Sequence, residues 1–241
     1  MGGHYPPQCP PTPGWNAQID YQECMKGLRY ETLLPVYHWL WKRWRERRWE
    51  RFRDCLKPAL ADRVLDVGGC AFDWQGRGDV IGAVDLLNLL PAIAPEMLES
   101  PRMRCIQGDG RSLEFGDGEY DIVFSNSVIE HVGDWKDQQG FATELRRVSR
   151  RLWIQSPARA CPVEPHYLGL FIHWFPAAWH VPLARWTSVV GLTRAADLQS
   201  IASTTRLLTK QEFRALFPDC EIWTERLLWF FPKSYVAIRR G

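Results

Sequence analysis

The run Val64-Leu65-Asp66-Val67 passes directly into Gly68-Gly69. A short apolar run closed by a carboxylate and a glycine pair suits a buried parallel strand entering a tight turn. Glycine lets backbone approach a ligand closely, and such a turn presents free N–H groups. Taken alone, the pair is equally an ordinary strand-to-helix turn. The strands after the turn decide between the two. A second strand reads Val80-Ile81-Gly82-Ala83-Val84-Asp85, and a third reads Met103 to Gln107, then Gly108-Asp109-Gly110. A fourth spans Tyr120 to Ser125, a helix covers about 136–149, and a fifth strand is Leu152 to Gln155. Apolar runs separated by helices or long crossovers predict a mostly parallel α/β sheet, with its ligand crevice at the strands' C-terminal ends.

Three carboxylates, Asp66, Asp85 and Asp109, thus close three successive strands. A carboxylate ending the second strand can accept from both ribose hydroxyls, and one ending the third can accept from an adenine amino group. Their structural alternatives are a helix cap for Asp85 and a turn-forming residue for Asp109.

The stretches VLDVGG (64–69), VIGAVDLL (80–87), IQGDGRSLEF (106–115) and YDIVFSNSVIEHV (120–132), with RRVSRRLWIQSP, together resemble the class I S-adenosylmethionine-dependent methyltransferases, in particular their type 11 branch. The resemblance covers about residues 60–157. It implies a Rossmann-like sheet, mostly parallel, closed by an antiparallel β-hairpin. It implies S-adenosylmethionine as cofactor and S-adenosylhomocysteine as product. Asp66, Gly68 and Gly69 would lie by the methionine moiety, Asp85 by the ribose, and Asp109, Gly110 and Arg111 by the adenine; Ser125 and Asn126 would line the site. The chain departs from the family's pattern at Gly68-Gly69-Cys70-Ala71-Phe72, where a third glycine is missing. The first crossover is short and holds Gly76 and Gly78, so its helix is expected to be brief. If the second strand runs three residues further, Asn88 takes the ribose position.

The flanks carry the remaining expectations. Residues 1–20 are proline-rich and read as an irregular arm. A helix is expected from about Tyr30 to Leu56, with Pro35 as a kink point and Pro58 as its stop, making residues 21–58 an N-terminal helical cap. Residues 59–241 form the catalytic domain, with a helical and aromatic cap inserted at 157–205. After it, Thr209 and Glu212 form a capping box for a helix to Phe217, and two strands near 221–228 and 234–238 close the sheet.

Methyl transfer needs orientation, and a hydroxyl, amine or acid acceptor also needs a base. His131, just after the fourth strand, is the base best placed by the resemblance. His166 and His173 are spaced to share one face of a helix inside the cap, and they are candidates for substrate contact. With Glu164 they could also ligate a metal, but a metal site usually needs a further well-placed ligand, so no metal is expected. The segment 39–53 interleaves tryptophans with arginines. It reads as an amphipathic helix packed over the site, with contact to an anionic membrane as the alternative. A net charge of +2 argues against nucleic acid as a partner and makes an RNA methyltransferase the weaker alternative. Seven dispersed cysteines suit reduced thiols in a cytoplasmic protein, one that is soluble or attached to a membrane surface. The acceptor expected is a small or lipid-linked molecule. The altered glycine turn keeps open a non-catalytic binding protein of the same fold.

Overall fold

A computed structural model describes residues 28–74, 76–77, 80–89, 102–164, 169–187 and 204–241. The expected N-terminal arm lies outside these residues. Helix α1 (Leu28–Leu56) leads into β1 (Arg63–Val67), β2 (Ala83–Asn88), β3 (Met103–Gln107) and β4 (Tyr120–Asn126). Helix α2 (Trp135–Val148) and β5 (Ser149–Pro157) come next. A short antiparallel pair, β6 (Val163–Glu164) and β7 (Gly169–Leu170), precedes helix α3 (His180–Thr187). Helix α4 (Lys210–Leu216) and the hairpin β8 (Glu221–Leu227) and β9 (Phe231–Arg239) end the chain.

One seven-stranded sheet runs β3-β2-β1-β4-β5-β9-β8. β1 to β5 are mutually parallel, and β9 runs against β5. The strand order reverses between β1 and β4, which opens a crevice at their C-terminal ends.

The alternation along each strand separates two apolar layers. Leu65, Val67, Leu87, Val123 and Ile154 face α2 and α4, packing with Phe141, Leu145, Phe213 and Phe217. Val64, Leu86, Ile122, Phe124 and Trp153 face the other way, onto Phe52 and Leu56 of α1 and onto Trp74. Helix α2 begins in a capping box, Asp134 with Asp137, and α4 in the expected one, Thr209 with Glu212.

The expected N-terminal helix runs through Pro35, and the brief helix expected in the first crossover is, among the described residues, a single turn at Ala71–Asp73. Other expectations are corrected, first for α1. Its C-terminal half is a full layer of the fold, laid on the sheet, since Phe52 and Leu56 are buried. β2 begins at Ala83 and ends at Asn88, three residues later than the apolar pattern suggests. β6 and β7 pair antiparallel, so 163–173 is not the continuous helix that would set His166 and His173 on one face. Cys55, Cys105, Cys161 and Cys220 are free thiols, but Cys70 beside the glycine turn is in a disulfide, which corrects the expectation of reduced thiols there.

Candidate active site

Gly68 stands at φ +77°, a conformation that side chains rarely adopt, and a Cβ there would meet Val128 at 2.6 and 2.7 Å. A Cβ on Gly69 would overlap the Asp66 carboxylate. Gly110, after β3, has the same character, with Phe141 at 2.5 Å from a notional Cβ. Glycine is thus required by space at all three positions.

Asp66 is fully buried. The Trp74 indole donates to its Oδ2 at 2.7 Å, while Oδ1 has no hydrogen-bond partner among the described residues. Burial pushes this carboxyl well above the usual range, and the charge of Asp73 adds to the shift, against the opposing indole bond. A buried carboxylate oxygen without a donor, beside a turn that only glycine fits, suits a cationic ligand group. The methionine ammonium of S-adenosylmethionine is such a group. Asp66, Gly68 and Gly69 would hold that end of the cofactor.

Asp85 does not close β2. It pairs with Leu65 inside the sheet, and Asn88 stands at the strand end. Arg104 donates to both Asp85 oxygens at 2.7 and 2.6 Å, and the Tyr120 hydroxyl donates at 2.8 Å. Burial raises this carboxyl, but those hydrogen bonds and the charges of Arg104 and Arg63 outweigh it and leave it below the ordinary range. Asp85 is therefore not at the strand end from which the ribose role was expected. The residue already accepts three hydrogen bonds and stands three residues before the end of β2. Asn88 takes the strand end, its amide donating to the Gly69 carbonyl at 3.0 Å.

Asp85→Asn should therefore cost about 1–3 kcal/mol of stability, since it weakens a buried charge-assisted network. It should leave S-adenosylhomocysteine affinity unchanged. Asn88→Ala should weaken that affinity roughly 3–10-fold, equivalent to about one hydrogen bond. Isothermal titration with chemical melts checks both, and the reverse ranking would contradict the register.

Asp109 lies just past the end of β3, and Gly108 N–H donates to the Asn88 carbonyl at 2.9 Å, so the two loops lie side by side. Arg111 grips Asp109 and also reaches Asp137 at 3.0 Å, and its hydrogen bonds hold the Asp109 carboxyl low. Ser125 is buried and donates to the Val67 carbonyl, tying β4 to β1 beneath the crevice. Asn126 ends β4 and accepts from Arg48 of α1 at 2.8 Å.

His131 lies in the single turn Ile129–His131 after β4, its Nδ1 3.4 Å from the Thr205 hydroxyl. His166 is outside the described residues. His173 is half-buried, and its Nε2 is bonded to the Arg159 carbonyl at 2.8 Å. Burial lowers its pKa, so the ring stays neutral near pH 7 and anchors the insertion at its root. The insertion leaves the sheet at Pro157 and returns at Leu208, which bridges Ala158. Both its roots are thus on the crevice edge. Among its described aromatic residues, Trp174, Phe175 and Trp179 are exposed.

Sequence reasoning missed Arg48, Trp74 and Lys233. Arg48 joins Asn126 to the buried Glu225 at 3.3 Å, and Lys233 meets the same carboxylate at 2.8 Å. Arg45, Arg48, Phe52 and Leu56 recur at three- and four-residue spacing, which marks the stripe of α1 that faces the sheet. Burial, and then the charge of Arg48, push Lys233 down to about 8. Above that pH the folded protein releases a proton that the unfolded chain still binds until its ordinary value near 10.5. Stability should therefore rise from about pH 8 toward 10.5 through this group, and Lys233→Met should flatten that rise in thermal melts.

Among the described residues no cluster of three potential ligands could hold a metal ion. None of the described helices is long and apolar enough to cross a membrane.

The strand order, the reversed last strand and a glycine turn at the β1–β4 switch point are those of a Rossmann-like fold of the class I methyltransferase type. Residues 65–151 match the family model described as a methyltransferase domain. A comparison with curated protein sequences finds no match. Among solved structures, the N-methyltransferase NodS from Bradyrhizobium japonicum WM9 is similar at TM-score 0.50 and 10% identity, over 82% of this chain and 96% of that one. A Rhodobacter sphaeroides protein provisionally named a Zn-dependent alcohol dehydrogenase reaches 0.53 at 11% identity, over 80% and 88%. A methyltransferase from Methanosarcina mazei reaches 0.49 at 15% identity, over 79% and 96%. The likeness to the first two establishes the fold and nothing finer, as their differing names show.

Proposed function

We propose that this chain methylates a small-molecule or lipid-linked acceptor, with S-adenosylmethionine seated at the C-terminal ends of β1, β2 and β4. The observation that carries the reading is the buried Asp66 oxygen left without a donor beside the Gly68-Gly69 turn. When bound, the cofactor supplies an electrophilic methyl group on a sulfonium. The chain's own part is orientation. Asp66 receives the cationic end, Asn88 stands at the ribose position, and Asp109, Gly110 and Arg111 lie on the adenine side. Ser125 and Asn126 form the floor after β4. Aligning donor and acceptor for in-line displacement supplies much of the rate by itself. His131 is the base for an acceptor that must lose a proton, because it comes directly after β4 on the crevice edge. His173 contributes by holding the root of the insertion.

Titration with S-adenosylhomocysteine tests the reading, with saturable binding as the expected result. No binding at millimolar concentration would overturn it. A non-catalytic binding protein is the second reading, favoured by one feature: an amide, Asn88, stands at the strand end that a carboxylate was expected to close. An amide accepts hydrogen bonds less strongly than a carboxylate. Saturable cofactor binding without methyl transfer to any acceptor in a broad radiolabelled panel would favour it.

A further inference from the structure

The β8–β9 hairpin ends in Leu228-Trp229-Phe230, with Trp229 89% and Phe230 75% exposed. Leu228 and Trp229 also hold positive φ, at +49° and +69°. Solvated hairpin turns use asparagine or glycine at such positions, because larger side chains are strained there. This turn bears two unfavourable features at once, strained backbone and three large apolar side chains in water. Neither serves the packing of the sheet.

The tip is not alone. β9 runs against β5, so the hairpin projects from the same C-terminal edge that carries the crevice. There the Lys233 carbonyl accepts from Ala158 N–H at 3.0 Å, at the root of the insertion. The next residue, Arg159, offers its carbonyl to His173 and to the Trp174 indole. Lys233 also lies 4.6 Å from the Trp44 ring centre, which brings α1 to the same point. Three elements therefore meet at Lys233, and all three show apolar or basic side chains outward. The insertion adds exposed Trp174, Phe175 and Trp179. Among the described residues of these elements, Lys42, Arg43, Arg47, Arg159 and Arg226 are exposed cations and Glu46 and Glu50 exposed carboxylates, while Glu164 and Glu225 are buried.

We infer that this edge docks on an anionic lipid bilayer, with the Leu228-Trp229-Phe230 tip inserted at the headgroup level and the surrounding cations on the lipid phosphates. Aromatic residues ringed by lysine and arginine match the polarity of that interface, apolar below and anionic above. A second copy of this chain would place the same cations against one another. The docked edge is the edge on which the crevice opens, so a lipid-linked acceptor would arrive from the bilayer without crossing water. That last step rests on the proposed methyl transfer; the docking does not.

The test is co-sedimentation of the full chain with vesicles of phosphatidylcholine alone, or with about a third phosphatidylglycerol. The expected result is binding to the anionic vesicles that is at least tenfold tighter than to the neutral ones and weakens with added salt. The triple variant Leu228→Ser, Trp229→Ser, Phe230→Ser should lose binding at least tenfold, and Trp229→Ser alone should lose part of it. Lys42→Glu with Arg43→Glu should weaken the anionic preference by a similar factor. S-adenosylhomocysteine titration of the same variants should be unchanged, which separates a failure here from a failure of the cofactor reading. Absence of sedimentation with either vesicle overturns the inference, as does sedimentation that the tip variants retain. Self-association of the wild type that the tip variants abolish, without vesicle binding, also overturns it.

Discussion

Gly69→Ala should weaken S-adenosylhomocysteine binding markedly and cost about 3–5 kcal/mol of stability, the sum of overpacking a rigid site and losing a hydrogen bond to a charged group. The new methyl would occupy the space of the Asp66 carboxylate. That carboxylate cannot simply turn aside, because it is fully buried and bonded to the Trp74 indole at 2.7 Å. Either the indole bond breaks or the turn swings outward, away from the ligand. Affinity should fall roughly 10–100-fold, or about 1.4–2.8 kcal/mol. Gly76 is the control. It too has positive φ, but a Cβ there meets nothing within 4 Å, so Gly76→Ala should cost only about 1 kcal/mol and leave binding intact. Urea melts and calorimetric titration of both variants decide the matter. Equal behaviour of the two would show that Asp66 and Gly69 do not form one rigid unit.

The parts of the fold that are legible in the sequence are those governed by local rules. β3, β4, α2 and the capping box of α4 fall where period, apolar runs and capping residues put them. β2 is different, because both halves of 80–88 are apolar and period alone cannot say where pairing begins. Its register is set by β1, with Asp85 opposite Leu65, and that is a tertiary fact. Asp85 and Asn88 thereby exchange their expected places. A carboxylate in a strand looks alike in sequence whether it meets a ligand or, as here, an arginine and a tyrosine from β3 and β4. Of the candidate site, the Gly68-Gly69 turn and the strand-end position of Asn126 are readable from their own residues. Arg48 is not, because a run of arginines on one helix does not reveal which one turns inward until the buried stripe is known.

Phe52→Ala should be among the most destabilising single changes, about 3–5 kcal/mol, the usual cost of removing a fully buried aromatic ring. Its ring stacks on Trp49 at 5.0 Å and meets Phe124, Trp153 and Trp74 edge-on at 5.6, 5.7 and 6.4 Å. Those contacts join α1 to β4, β5 and the first crossover, so a cavity there loosens three elements at once. Trp74 is the one that reaches function. It holds Asp66, and with Phe52 gone it loses a wall on one side while keeping Phe124 at 5.1 Å and Trp49 at 6.0 Å. Cofactor affinity should therefore fall several-fold along with stability, measured where the variant is still folded. Leu56→Ala supplies the contrast. Leu56 is also buried but lies at the far end of α1, where its carbonyl accepts from Arg151 at the start of β5. It should cost about 2–5 kcal/mol and leave affinity unchanged. If Phe52→Ala lowers the urea midpoint without touching affinity, Trp74 is held by the sheet alone, and α1 has no part in shaping the crevice.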